Sequence, residues 1–167
     1  MATPRFELVC ARSPADWLLV RELFEDYAAG LGIDLSFQNF AAELAGLPGV
    51  YAAPGGTVLL AYVDGAVAGC GGFRPFPGAG RPPTCEMKRL YLRPGWRGAG
   101  RGRRLAAALM GRARAAGYAS MLLDVFEHMS AARALYAALG FVEIAPYYDN
   151  PLAGAHYLEA RLDVEKV

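Results

Sequence analysis

Residues 84–105 constrain the fold more than any other part of the chain. Residues 84–92 have the composition of a strand that ends in Leu90, Tyr91 and Leu92. Pro94 stops it, because proline has no N–H to give to a sheet ladder. Gly98, Gly100 and Gly102 then strip the backbone of side chains. From Arg103 the chain is rich in alanine and leucine, which favours a helix. This order sets a helix N-terminus beside a strand end. The first N–H groups of a helix have no partner within it, and the dipole makes that end positive. Bare glycines let an anion approach the backbone closely. Arg97, Arg101, Arg103 and Arg104 add charge around the same turn. A phosphate or pyrophosphate suits such a turn; the plain alternative is a tight turn with a solvated arginine face.

Three phosphate-binding patterns compete for the turn. A nucleotide P-loop ends in Gly-Lys-Ser/Thr, and Gly102 is followed here by Arg103 and Arg104. The dinucleotide fingerprint needs a third glycine where Arg103 stands, and an acid on a second strand that is missing. The third pattern is Arg/Gln-x-x-Gly-x-Gly/Ala between a strand and a helix. Arg97-Gly98-Ala99-Gly100-Arg101-Gly102 fits it without a mismatch.

A second pattern follows after one helix and one strand: Ala132, then Leu135-Tyr136, then Gly140-Phe141. Together the two patterns resemble the signature of the GNAT acyltransferase superfamily, over about the second half of the chain. The resemblance implies an α/β fold in which helices flank a splayed, mostly antiparallel sheet, with the pantetheine arm of acetyl-CoA in the split. It implies transfer of an acetyl group from acetyl-CoA, the co-substrate, to a primary amine, with no metal. It places Leu90, Leu92, Arg97, Gly98, Gly100, Arg101, Gly102, Met129 and Tyr136 against acetyl-CoA. Met129 stands where the family often has an asparagine that contacts the pantetheine. A thioether cannot donate a hydrogen bond, so that contact is missing, apolar or made by the backbone.

The chain has 167 residues, 54% of them hydrophobic, and a net charge of +1. That is material for one domain over residues 1–167 with a sizeable core, and it argues against a disordered chain. The balanced charge implies no general attraction to nucleic acid or an anionic membrane. Cys10, Cys70 and Cys85 lack metal-like spacing and read as reduced thiols, and His128 and His156 stand too far apart to make a site. No signal peptide or membrane-spanning run is visible, so a cytoplasmic protein is expected.

In chain order, residues 6–11 form a strand. Ser13 then caps a helix, with Pro14 at its first position and Asp16 in its first turn. Val20, Leu23, Phe24 and Tyr27 share one face of that helix, and Gly30 and Gly32 end it. Residues 37–47 suggest a second short helix. Residues 57–63 and 66–73 read as a hairpin turning at Asp64-Gly65. After the loop at 75–83, the strand at 84–92 and the glycine turn, a helix spans about 100–116. A strand follows at 119–125, then a helix at 130–139 ended by Gly140, then strands at 141–144 and 156–162. The loop at 146–151 reads as a surface turn with two exposed aromatics, Tyr147 and Tyr148, although these with Asp149 and Asn150 are also candidates to line an acceptor pocket.

Three needs follow from acyl transfer: a deprotonated amine, a donor for the oxyanion, and an acid for the departing thiolate. Tyr136 is the candidate acid, since a phenol's reference pKa of ~10 lies near a thiol's ~8.5; the alternative is a packed tyrosine. The resemblance gives the oxyanion donor as the backbone N–H of Leu92. Glu86 is the candidate base, directly or through water, with a structural or amine-binding role as the alternative. Strand alternation puts Glu86, Lys88, Leu90 and Leu92 on one face, where Lys88 competes for Glu86 as an ion-pair partner. Asp124, Glu127 and His128 are candidates to line the acceptor pocket. The rival classes are an acyl-CoA-binding sensor that does no catalysis, and a nucleic-acid binder using Arg93, Arg97, Arg101, Arg103 and Arg104. Neither the variable region at 30–48 nor the late loop contains a readable substrate code. Similar proteins are often dimers, so a homodimer is admitted.

Overall fold

The computed structural model describes residues 2–78 and 80–163. Seven strands form one sheet: β1 (Phe6–Cys10), β2 (Thr57–Val63), β3 (Ala66–Pro75), β4 (Thr84–Leu92), β5 (Ser120–Phe126), β6 (Val142–Ile144) and β7 (Ala155–Arg161). Their order across the sheet is β1-β2-β3-β4-β5-β7-β6. All neighbours run antiparallel except β4 and β5. The helices are α1 (Pro14–Leu31), α2 (Phe40–Ala45), α3 (Arg101–Ala115) and α4 (Ser130–Ala138). The mixed, mostly antiparallel sheet flanked by helices is the expected fold.

Local chemistry sets the element ends. The Ser13 side chain accepts the Asp16 N–H, and Asp16 returns bonds to the backbone of Arg12 and Ser13, closing a capping box at the start of α1. Asp64 and Gly65 take φ of 49° and 82°, the left-handed pair that a tight hairpin needs. The segment expected as one helix at 37–47 is a 3₁₀ turn at Ser36–Gln38 followed by α2, split at Asn39 with φ 55°. One face of the sheet packs on α3 through Leu105, Leu109 and Ala113. The other packs on α1 through Val20, Leu23 and Phe24.

Two features of β4 shape everything that follows. Its parallel pairing with β5 covers only Thr84–Glu86 against Ser120–Leu122, so the strands part beyond Glu86. This is the splay. The second is a bulge: Gly72 lies opposite Lys88, but Cys70 lies opposite Tyr91. The extra residue falls at Arg89, which is buried at φ 59°. Glycines on β3 permit the close approach: a Cβ on Gly69 would lie 2.1 Å from the Tyr91 carbonyl oxygen.

The bulge corrects one expectation. Simple alternation puts Glu86, Lys88, Leu90 and Leu92 on one face, but the inserted residue reverses it. Cys85 and Met87 belong to the cluster on the α3 side, where Leu90 also packs and Leu92 approaches Gly102. Lys88 and Arg89 instead reach Gln38 and Glu43 in the α1–α2 region, Glu86 pairs with Lys88 and Arg74 on that side, and Tyr91 packs there too.

Candidate active site

The far end of β4 carries the glycine turn. Gly98, Ala99 and Gly100 all have positive φ, at 90°, 55° and 71°. The run of left-handed residues turns the chain into α3, whose N-cap is Gly100 with no side-chain cap. Arg101 and Arg104 N–H groups bond back to the Gly98 and Gly100 carbonyls. Gly102 and Arg103 N–H groups have no backbone acceptor among the described residues. Open space surrounds the Cα of Gly98 and of Gly100. Unspent N–H groups, bare backbone and a helix N-terminus are what a pyrophosphate requires. Arg97 donates to the Leu92 carbonyl at 2.8 Å, and Arg101 to the Trp96 carbonyl at 3.1 Å, so both are anchored at the turn. Arg93 is not available to an outside anion: it pairs with Glu22 and Asp26. That weakens the nucleic-acid alternative.

Between β4 and β5, beyond their paired ends, lies the split, a narrow space of about 30 Å³. Tyr27, Leu90, Asp124, Met129 and Tyr136 line it, with Gln38 and Lys88 at one end. The Arg93 N–H bonds to Ala68 on β3, so alternation turns the Leu92 N–H to the opposite edge, toward the split. The Tyr136 ring packs edge-on against Phe141, and its hydroxyl makes no hydrogen bond among the described residues. Burial pushes this phenol above its ordinary value of 10.0. The near match to a thiol expected from reference values is therefore widened. Met129 spends its N–H on the Phe126 carbonyl and its carbonyl on Arg133, leaving an apolar thioether at the split.

Beyond Lys88 and Gln38 the split meets a larger cavity of about 500 Å³ on the α2 side of the sheet. Both residues line both spaces. The larger cavity is lined by side chains from residues 37–51, by Arg74, Phe76, Glu86 and Lys88, and by Tyr148 of the late loop. Its two carboxylates are largely buried and paired, Lys88 is buried, and Arg74 is partly exposed. Glu86 is buried, and Arg74 grips its Oε1 through Nε at 3.1 Å and Nη2 at 3.0 Å. The Tyr147 hydroxyl donates to Glu86 Oε2 at 2.6 Å. Glu43 takes Arg89 at 3.0 Å and the Tyr51 hydroxyl at 3.2 Å. Lys88 donates to Gln38 at 3.3 Å and stands 4.0 Å from Glu86 and 3.9 Å from Asp124. Burial pulls the Lys88 ammonium below its ordinary value, and the two carboxylates oppose that pull. Tyr148 donates to Asp124 Oδ2 at 2.6 Å and accepts from Gln38 and Asn150.

The late loop is thus no plain surface turn. Tyr147 and Tyr148 are half-buried and packed edge-on against Tyr157, because their hydroxyls reach the carboxylates of β4 and β5. Glu127 and His128 are exposed and line a separate hollow with Leu152 and Gly154, away from the acceptor cavity; Asp149 is exposed. Sequence reasoning missed Gln38, Glu43, Arg74 and Arg89. A signal for the last was present: an arginine beside a lysine inside a strand, facing a glycine-rich partner. Among the described residues no group of three potential metal ligands stands together, and no helix is long and apolar enough to cross a membrane.

Comparison with known proteins points one way. The model of the acetyltransferase (GNAT) family matches residues 17–141. An uncharacterised N-acetyltransferase of Schizosaccharomyces pombe is 35% identical over 167 residues, covering 99% of each chain. A GNAT-family acetyltransferase structure from Staphylococcus aureus superposes with a TM-score of 0.75 at 16% identity, covering 95% of this chain and 100% of the other. A Salmonella typhimurium acetyltransferase structure, solved with its cofactor acetyl-CoA, gives 0.61 at 21% identity, covering 97% and 96%.

Proposed function

Because the chain belongs to the GNAT acetyltransferase family, a family of acyltransferases, we propose that it transfers an acetyl group from acetyl-CoA to a primary amine, acting as one domain over residues 1–167. The observation that carries this is the Tyr136 hydroxyl, which has no hydrogen-bond partner among the described residues and lines the split that adjoins the charged cavity at Gln38 and Lys88. Acetyl-CoA supplies the activated acetyl group as a thioester. Gly98, Gly100 and Gly102 hold its pyrophosphate through their backbone, with Arg97 and Arg101 beside them. Leu90, Met129 and the edge of β4 line the path of its pantetheine arm. The Leu92 N–H, turned toward the split, faces negative charge as it develops on the acetyl oxygen.

Tyr136 donates a hydrogen bond, and then a proton, to the departing sulfur. Because burial raises its pKa, it stays protonated through neutral and mildly alkaline pH. Glu86 serves position: both of its oxygens are taken, one by Arg74 and one by Tyr147. Asp124 Oδ1 has no hydrogen-bond donor among the described residues, and lines the split where the amine must arrive. It is the better placed carboxylate to hold the amine and accept its proton.

The test is Tyr136→Phe. Turnover should fall about a hundredfold, while the dissociation constant for acetyl-CoA stays within about twofold of the parent, a shift of ~0.4 kcal/mol. No alkaline loss of rate from this group should appear below its ordinary value of 10.0 in the parent enzyme. Undiminished turnover in the variant would remove Tyr136 from the chemistry and favour an acyl-CoA-binding domain without catalysis.

A further inference from the structure

We infer that the acceptor is a small α-amino acid, its carboxylate held by Arg74 and Lys88 and its amine beside Asp124; this rests on the acetyl-transfer reading above. The inference comes from which donors and acceptors in the cavity are already spent.

The two acids that line the cavity are each already held by an arginine and a tyrosine hydroxyl. Glu43 accepts from Arg89 on Oε2, and from Tyr51 and Arg89 on Oε1. Glu86 accepts from Arg74 on Oε1 and from Tyr147 on Oε2. The two cations that line it are not spent. Arg74 Nη1 stands 3.8 Å from Glu43 Oε1, too long for a hydrogen bond, and makes no hydrogen bond among the described residues. Lys88 has three N–H donors and, among the described residues, one hydrogen bond, to Gln38; its neighbouring carboxylates stand at 3.9 and 4.0 Å. The Arg74 side chain is also the more open of these charges, at 30% exposure against 2% for Glu86. The cavity therefore presents cations with N–H donors to spare beside carboxylates whose charge an arginine already balances. That chemistry favours an anion over a second ammonium, as on a polyamine, which would have to share carboxylates already paired with arginine.

Lys88 also sets the spacing. It lies 3.9 Å from Asp124 Oδ1, the carboxylate oxygen that takes no hydrogen bond among the described residues. An amine on Asp124 and a carboxylate on Lys88 must then be close neighbours, as they are when they share one carbon. Phe37 and Phe76 line the same cavity and give the amino acid's side chain an apolar wall. In the reaction the amine nitrogen forms the amide bond to the acetyl carbon as the carbon–sulfur bond breaks. One amine proton passes to Asp124 and on to solvent, and the sulfur leaves as a thiol with the proton of Tyr136, which a second amine proton replaces.

The experiment uses the unaltered protein and matched acceptors that differ only by the carboxylate: phenylalanine with phenethylamine, and leucine with isoamylamine. Thiol release gives kcat/KM for each, and calorimetry gives the affinity of each for the protein. The amino acid of each pair should be favoured at least about tenfold. In Arg74→Gln the preference should shrink through a raised KM for the amino acid, with KM for the amine little changed. Equal or better use of the plain amines would overturn the amino-acid assignment and leave acetyl transfer standing. So would binding of acetyl-CoA with neither class bound or consumed. Failure of acetyl-CoA itself to bind would overturn both. The matched pairs need no substitution, so the result does not depend on whether the variant folds.

Discussion

The two ends of β4 present opposite ways to build a site. At its far end the chemistry is in the backbone: left-handed residues at 98–100, unspent N–H groups on α3, and the Leu92 N–H turned to the split. At its near end the chemistry is in side chains. Glu86, Lys88 and Arg89 mesh with Gln38, Glu43, Arg74, Asp124, Tyr147 and Tyr148 from distant parts of the chain. A backbone site suits a ligand part that never varies, such as a pyrophosphate. A side-chain site can be recast one residue at a time, which suits the partner that does vary. The bulge at Arg89 joins the two. It turns the apolar end of β4 toward α3 and its charged middle toward α2.

The contrast can be broken from either end. The largest effect belongs to Glu86→Ala, which strips Arg74 of the oxygen that takes two of its nitrogens and Lys88 of a neighbouring charge. Breaking a buried ion pair costs about 3 kcal/mol, so urea denaturation should show a loss of that order. A loss under about 1 kcal/mol would mean that the cluster does not hold the near end together. Next comes Gly100→Val. At φ 71° a side chain brings a left-handed penalty of roughly 1–2 kcal/mol. Affinity for acetyl-CoA should weaken about tenfold, with KM for the amine unchanged. If the variant altered the amine KM instead, the division between the ends would be wrong. The smallest is Tyr148→Phe, which deletes a hydroxyl bonded to Asp124, Gln38 and Asn150. At about 1 kcal/mol it should raise the amine KM about fivefold and leave acetyl-CoA affinity alone. Steady-state kinetics with each substrate varied would show any crossover.

The same contrast explains what could be read from the sequence. Glycines at 98, 100 and 102 and the Leu135-Tyr136 pair act through local conformation, so their order in the chain carried the donor side. The Asp64-Gly65 hairpin and the Ser13 cap were legible for the same reason. The acceptor side was not, since nothing local ties Gln38 to Lys88 or Tyr147 to Glu86; only the folded sheet brings them together. Alternation failed on β4 because it counts residues and takes no account of an inserted one. Tyr147 and Tyr148 looked like surface residues because a turn-rich loop gives no sign of what its hydroxyls reach.

The most direct measurement is calorimetric titration of the protein with acetyl-CoA beside free CoA. The account predicts one site per chain with a micromolar dissociation constant for acetyl-CoA, lost by at least about tenfold in Gly100→Val. No heat of binding for either ligand, or equal binding by Gly100→Val, would contradict a donor site built from the backbone of the glycine turn.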